Sequence, residues 1–469
     1  MAQQRLERPI LDQLVRQAAR SRLPLHVPGH KQGRSLPGPF AAWLGAAAKI
    51  DLTELPGLDN LHHPTGCIAA SQQLAASHYG SDLCLYSVNG STAGIMAALM
   101  GTVPHGGKVL LLNPVHQSAW RGLILGDLVP VFADVIMDDR RHTAAAPTAS
   151  AAQQALAADP GIRAVYMTSP TYTGEVAPVA DIVAIAHRHG VPVIVDEAHG
   201  AHFGLSPRLP MHSIEAGADV VIHSVHKMLP GLTQTAWVHC TGPRVDAQRV
   251  ADALRMLQTS SPSYLLLASI DAAQAWLRLE GPTAAEELLD ALALLTPLRV
   301  GDTSSAYDPF RHWLPVGSEQ AGAALQEWLA AKGMFVEYAD PSGVLSLFGF
   351  GHRERDVAQY VNHVQTWLTS SAPWPQTDSA LWAHTPRPVL LATPRAVHEA
   401  RSEIVPLAEA TGRISAALVT PYPPGVPVLW PGQRIDTDLC ERLRTWSQAR
   451  HEVQGLTSGP GVRVLAEIN

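Results

Sequence analysis

Ala218-Asp-Val-Val-Ile-His-Ser-Val-His-Lys-Met-Leu-Pro-Gly231 is the stretch around which the chain is organised. Asp219 to Ile222 is a short apolar, β-branched run and reads as a strand buried on both faces. It ends in the polar residues His223, Ser224, His226 and Lys227, followed by a Pro-Gly breaker. A lysine just past a buried strand is a costly place for a charge. One reading is an ordinary surface lysine. The other is a lysine held as a Schiff base with pyridoxal phosphate (PLP), which offsets part of that cost and gives the amine a catalytic use. The hydroxyl and imidazole beside it are then available to the cofactor's phosphate.

The 469 residues are 46% hydrophobic and 16% charged, with a net charge of −7. That is enough for a large core and two or three domains. There is no basic surplus to hold nucleic acid and no Lys/Arg run for a membrane surface. No apolar run reaches about 18 residues, so no spanning helix is expected. The four cysteines, Cys67, Cys84, Cys240 and Cys440, are scattered without a C-x-x-C pair. With no basic-then-apolar signal pattern at the start, a soluble cytoplasmic protein is expected.

Outward from Lys227, the pattern is strand, loop, helix, with polar residues after each strand. Val191 to Val195 is an apolar strand delivering Asp196-Glu-Ala-His199, preceded by a helix from Pro178 to His189 that Gly190 closes. Lys108 to Leu112 is a strand leading to Asn113-Pro-Val-His-Gln-Ser118. Leu128 to Ala133 and Ala164 to Thr168 are further strands, the second ending in Ser169-Pro-Thr-Tyr-Thr-Gly174. Leu83 to Val88 is a strand, then Asn89-Gly-Ser-Thr-Ala-Gly94, then a helix from Ile95 to Met100. That junction suits an anion at a helix N-terminus, and equally suits plain N-capping by Ser91. The whole reads as a mainly parallel α/β sheet with ligands at the strands' carboxyl ends. No G-x-G-x-x-G follows the first strand, so it is not a dinucleotide fold.

The flanks are organised differently. Pro9 to Arg22 reads as an amphipathic helix, and Asp51 to His62 as a polar loop carrying Asp59. Arg244 to Arg278 is helical, interrupted at Thr259-Ser-Ser-Pro-Ser-Tyr264. After about Glu280 a smaller α+β domain follows, with strands at Phe335 to Tyr338 and Val344 to Phe348. A linker over Ser370 to Thr385, a helix from Arg395 to Leu407 and a proline-rich stretch from Thr420 to Gly432 complete the chain. The expected divisions are residues 1–45, an N-terminal helix and loop; 46–285, a large PLP-binding domain; 286–370, a small α+β domain; and 371–469, a C-terminal domain.

Five strand ends can supply a PLP site. Lys227 would carry the cofactor. Asp196 would pair with the pyridine nitrogen and keep it protonated. His116 could stack on the ring, and His199 would lie near the phenolic oxygen. Gly90, Ser91 and Thr92, with Ser224 and His226, could bind phosphate. A D-E-A-H helicase box is the competing reading of residues 196–199, but it needs a phosphate loop of the form G-x-x-x-x-G-K-[S/T]. His199, His202 and His226 as a metal site is a further alternative, although 22 histidines make accidental clusters cheap, and no metal is expected.

These stretches resemble the Orn/Lys/Arg decarboxylase family, of the aspartate-aminotransferase fold type of PLP enzymes. The resemblance rests on His26-Val-Pro-Gly-His-Lys-Gln-Gly33, Asp51-Leu-Thr-Glu-Leu-Pro-Gly-Leu-Asp-Asn-Leu61, Asn89-Gly-Ser-Thr92 and Thr168-Ser-Pro-Thr-Tyr172. It continues through Asp196-Glu-Ala-His-Gly-Ala-His202, Ser224-Val-His-Lys227, Thr259-Ser-Ser-Pro-Ser-Tyr-Leu265 and Pro421-Tyr-Pro-Pro-Gly-Val-Pro427. It implies an aspartate-aminotransferase-like fold with a seven-stranded-type sheet, helices on both faces, and a smaller α+β C-terminal domain. It carries Lys227, Asp196 and His116 over to the roles given above. Three places depart from the family pattern: Asn113-Pro-Val before His116, Gln117, and Ile95. The resemblance is to the short, biosynthetic-type members, so the receiver-like N-terminal domain of the long members is not expected.

The reaction implied is decarboxylation of lysine, arginine or ornithine to cadaverine, agmatine or putrescine, a step toward polyamines. The substrate's distal cation needs an acidic partner, for which Glu337 and then Asp59 are the candidates. A homodimer or larger assembly, with the site at the subunit interface, is also implied. An aminotransferase on the same scaffold would need an arginine for the α-carboxylate, and Arg395 and Arg413 are available. A non-catalytic regulator is the reading from a different class, and intact Lys227 and Asp196 argue against it.

Overall fold

A computed structural model describes residues 7–112, 114–134, 137–138, 143–299, 307–316, 319–339, 343–370, 387–422, 426–448, 452–459 and 461–466. Asn113, the linker over 371–385 and residues 423–425 of the proline-rich stretch lie outside them.

Seven strands form one sheet: β1 Leu83–Ser87, β2 Lys108–Leu112, β3 Val129–Phe132, β4 Ile162–Thr168, β5 Val193–Asp196, β6 Val220–Ser224 and β7 Ala236–Cys240. Their order is β1-β7-β6-β5-β4-β2-β3. β2 is parallel to β3 and β4, while β7 is antiparallel to both β1 and β6. The sheet is therefore mainly parallel, as the strand–loop–helix pattern requires. Every residue of β5, β6 and β7 is buried, which is why these strands read as near-continuous apolar runs.

The chain divides into two compact units, Met1–Gly101 with Asp196–Glu286, and Thr102–Val195 with Glu287–Asn469. In the first, α1 (Pro9–Arg20) packs on α2 (Cys67–Tyr79) and on the helix Tyr264–Leu279. Asp271 makes the join. Its Oδ2 accepts the N–H groups of Ile10 and Leu11, both at 2.9 Å, and its Oδ1 accepts Ser71 Oγ at 2.6 Å. The orphan donors of α1 are thus satisfied by a fully buried carboxylate on another helix. The long helical stretch is two helices, Ala247–Leu257 and Tyr264–Leu279, each capped by a side chain, Asp246 and Ser263.

In the second unit, a three-stranded antiparallel sheet of Arg311–Pro315, Gly343–Leu347 and Tyr338–Ala339 accompanies the helices Glu319–Ala330 and Glu354–Ser370. The strand expected over Phe335 to Tyr338 is thus only its last residue and Ala339. Farther on, Val419, Leu429, Ile435, Leu443, Val462 and Val464 belong to a core of their own. The helix expected over Arg395 to Leu407 is corrected. A helix of six residues, Pro394–Glu399, ends there, and Ser402–Pro406 is a strand paired with Gly461–Leu465. β-Branched Ile404 and Val405 followed by Pro406 fit an edge strand better than a helix interior.

Candidate active site

The first unit gathers eight of the expected cofactor-site positions, Gly90, Ser91, Thr92, Asp196, His199, Ser224, His226 and Lys227. β1 runs through Val88 and Asn89 into α3 (Gly90–Thr102). That helix begins five residues earlier than the apolar run suggests. Gly90, Ser91 and Thr92 are therefore its first turn, the positive end of a helix that suits an anion, although the Gly90 N–H itself goes to the Gln234 carbonyl. α3 lies close on the sheet because residue 94 is glycine. A Cβ there would stand 2.7 Å from Val238 Cγ2 and 3.2 Å from Ile222 Cγ2. β6 delivers Ser224, and the short turn of helix Val225–Met228 presents Lys227.

Two residues the sequence did not single out hold these segments together. The Gly90 N–H donates to the Gln234 carbonyl at 2.9 Å, and the Val225 N–H to the Thr235 carbonyl at 3.0 Å. His226 Nδ1 bonds to the same Thr235 carbonyl at 3.0 Å, and Gln234 Nε2 donates to the Val88 carbonyl at 2.6 Å. Adjacent carbonyls at the start of β7 thus fix the α3 N-terminus and the Ser224–Lys227 turn with respect to each other. Gln234 reaches this geometry at φ +82°, a left-handed conformation rare for a residue with a side chain. Gln258 Oε1 accepts from the Val88 N–H at 2.9 Å and steadies the same loop.

Asp196 stands at the end of β5, 3% exposed, with Oδ1 accepting the Ala198 N–H at 3.1 Å. A buried carboxylate at a strand end suits a cationic ring nitrogen. The Ser224 N–H donates to the Ala198 carbonyl at 3.3 Å, which ties the turn after Asp196 to β6. His199 Nε2 lies 3.0 Å from Lys227 Nζ, so the imidazole and the amine share a proton position. Burial holds His226 below its usual range, while the Thr235 carbonyl works the other way. A phosphate contact at its Nε2 requires a second proton, which a dianion beside it would favour.

These residues fit PLP on a specific observation. Ser224 Oγ is fully buried and has no hydrogen-bond partner among the described residues. A buried hydroxyl left so is costly unless something else completes it. Its place at the end of β6, one residue before the helical turn that presents Lys227, matches that of a phosphate donor.

Asp59 is a correction. Its carboxylate accepts the backbone N–H groups of Asn60, Thr65, Gly66, Ile68 and Ala69 at 2.7–3.3 Å. Burial works to raise its pKa, and the donors of Thr65, Gly66, Ala69 and Asn60 outweigh it, holding the carboxyl below its ordinary value. It is the cap of α2, with its acceptor capacity spent on backbone, and it leaves nothing for a substrate cation.

The second unit carries the other expected residues. His116 caps the helix Gln117–Gly126, its Nδ1 accepting the Ser118 N–H at 3.2 Å. Glu337 is exposed and accepts a short hydrogen bond from Tyr172 Oη. Tyr172 is on the loop after β4. Arg413 is engaged by Glu403 at 2.5 Å, and Arg395 by Glu399 at 3.3 Å and Asp127 at 3.7 Å. Among the described residues, no group of three His, Cys, Asp or Glu is placed to hold a metal, and no helix is long and apolar enough to cross a membrane.

The comparisons with known proteins bear on this arrangement. The family model for the Orn/Lys/Arg decarboxylase major domain matches residues 8–299, and that for the C-terminal domain of the same family matches residues 379–459. The chain is 34% identical over 471 residues to the arginine decarboxylase of Bacillus subtilis, covering 96% of this chain and 95% of that protein. It is 31% identical over 470 residues to the arginine decarboxylase of Bacillus anthracis, covering 96% and 95%. Lysine decarboxylase A from Pseudomonas aeruginosa superposes with a TM-score of 0.84 at 20% identity, covering 98% of this chain and 81% of that one, a likeness of fold.

Proposed function

The chain belongs to the Orn/Lys/Arg decarboxylase family, and on that premise we propose that it decarboxylates L-arginine to agmatine and carbon dioxide. It is a PLP-dependent decarboxylase of a basic amino acid. The choice of arginine is carried by one observation: relatives alike over almost the whole of both chains are arginine decarboxylases. What PLP supplies when bound is an electron sink for the pair left behind by the departing carboxylate.

The chain's residues do the rest. Lys227 Nζ would hold the cofactor, and His199 Nε2, 3.0 Å away, would take and return a proton at that nitrogen. Asp196 keeps the ring nitrogen protonated through a short-range charge pair. The first turn of α3 and Ser224 would hold the phosphate, and the Gln234–Thr235 carbonyls keep those two segments in register. By the family resemblance, His116 would be the residue for the ring face. Glu337, hydrogen-bonded by the Tyr172 hydroxyl, is the candidate partner for the guanidinium, whose planar fork suits a carboxylate.

We further propose that the enzyme works in the cytoplasm as a homodimer or larger homo-oligomer, in polyamine synthesis. The four cysteines are free thiols, which suits a reducing compartment. The division into residues 1–45, 46–285, 286–370 and 371–469 stands as part of this reading.

The test is an amine-product assay on purified protein with PLP, offered arginine, lysine and ornithine separately. Agmatine as the dominant product, with matching carbon dioxide, is expected. Cadaverine or putrescine instead would overturn the choice of arginine, and a keto acid without carbon dioxide would point to transamination.

A further inference from the structure

Glu197 follows Asp196 directly, and the function above gives it no part. It is 1% exposed. Its Oε1 accepts Ser213 Oγ at 2.5 Å and the Ser213 N–H at 3.0 Å, and its Oε2 is hydrogen-bonded to His223 Nε2 at 2.7 Å. His223 is the β6 residue just before Ser224. Ser213 closes the loop that starts at Glu197 and carries His199. The carboxyl group therefore bolts the two ends of that loop to the strand that delivers Lys227.

The surroundings are built for this contact. The turn from Glu197 to Gly200 is closed by the Gly200 N–H donating to the Glu197 carbonyl at 2.8 Å. A Cβ at residue 200 would lie 2.6 Å from Glu197 Cγ, so glycine there makes room for the side chain. Tyr79 Oη donates to the Ala201 carbonyl at 2.6 Å, a second tie on the same loop, and its ring packs 4.8 Å from His223. His202, His212 and Tyr79 are the other titratable groups facing the carboxyl. Burial pushes the Glu197 carboxyl up to about 8 and holds His223 well below its usual range, so near neutral pH the acid is largely protonated and the imidazole neutral.

We propose that Glu197 is a positioning residue for the cofactor site, setting the separation of Lys227 and His199 by joining the His199 loop to β6. It rests on the reading of Lys227 as the cofactor lysine. Glu197 touches no reacting atom. It acts because a misplacement of even about 1 Å at a proton-transferring pair costs roughly a hundredfold in rate.

The experiment uses full-length Glu197→Gln and Ser213→Ala, with PLP as the probe. It reads three quantities: the PLP dissociation constant of the apoprotein, the pH midpoint of the bound cofactor's visible absorbance, and the melting temperature. Glu197→Gln is expected to weaken PLP about tenfold and to move the midpoint by about half a pH unit. Ser213→Ala keeps the carboxyl group and loses one of its donors, so it should move both quantities the same way by less. A lower melting temperature with wild-type PLP affinity and midpoint in both variants would overturn the proposal. If Glu197→Gln does not fold, wild-type values in Ser213→Ala overturn it alone. Wild-type protein without cofactor absorbance, indistinguishable from Lys227→Ala, would remove the cofactor reading and this one with it.

Discussion

Replacing Ser224 by alanine should separate the apoprotein from the loaded enzyme in opposite directions. The Ser224 hydroxyl is fully buried and unpartnered among the described residues. Removing an unsatisfied buried hydroxyl recovers a desolvation cost of about 1–3 kcal/mol, less some packing. The apoprotein is therefore expected to melt at or slightly above the wild-type temperature. With PLP present, the same hydroxyl donates to a phosphate, and a hydrogen bond to a charged acceptor is worth about 1.5–3 kcal/mol. PLP should then bind roughly ten- to a hundredfold more weakly. At a PLP concentration about a hundred times the wild-type dissociation constant, the ligand stabilises the wild type by about 2.7 kcal/mol. A tenfold loss removes about half of that, so the order of melting temperatures reverses when PLP is added. The assay is a pair of thermal melts, with and without PLP, beside an absorbance titration. An unchanged PLP affinity, or an apoprotein less stable than wild type, would refute the reasoning.

Asp59→Ala should cost about 2–4 kcal/mol of stability, measured by denaturant unfolding, and leave the choice among arginine, lysine and ornithine unchanged. Because its folded pKa is lowered from 3.8, the stability Asp59 contributes is present above that value and fades as pH falls below it. Gly94→Ala should force α3 off Val238 and Ile222, costing about 1–3 kcal/mol, and weaken PLP by moving the phosphate-binding turn. Burial lowers His78 to about 4 and holds His239 well below its usual range. The unfolded chain takes up these protons near pH 6.5 and the folded one does not, so stability is present above 6.5 and declines as pH falls from there. The slope is up to about 1.4 kcal/mol per pH unit for each histidine, and a melting temperature flat from pH 7 to 5 would refute it.

The strand ends were legible where chemistry and local pattern coincide. The β-branched run Val220 to Ile222, the apolar Val193 to Val195 and the polar residues ending each are visible as strand ends with cargo. Gln234 and Thr235 were not, because they act through backbone carbonyls, which every residue has. Their Thr-Gln-Thr setting after Pro-Gly shows only a turn. β7 itself, Ala-Trp-Val-His-Cys, buries a histidine that reads as an exposed position, and His239 is accommodated by Ser81 Oγ at 2.9 Å. Asp59 shows the opposite failure. Its loop and charge looked like a binding site, but the N–H groups that take up its carboxylate lie up to ten residues on, where side-chain identity gives no signal. Arg395 to Leu407 divided into helix and strand because the partner that makes the strand, Gly461–Leu465, is remote in sequence.

The central claim is that Lys227 carries the cofactor. Borohydride reduction of the PLP-loaded protein fixes PLP on whichever lysine bears it, and peptide mass spectrometry then reads the position. The account predicts the reduced adduct on the peptide containing Lys227 and nowhere else. An adduct on another lysine, or an unmodified Lys227 peptide from fully loaded enzyme, would contradict it.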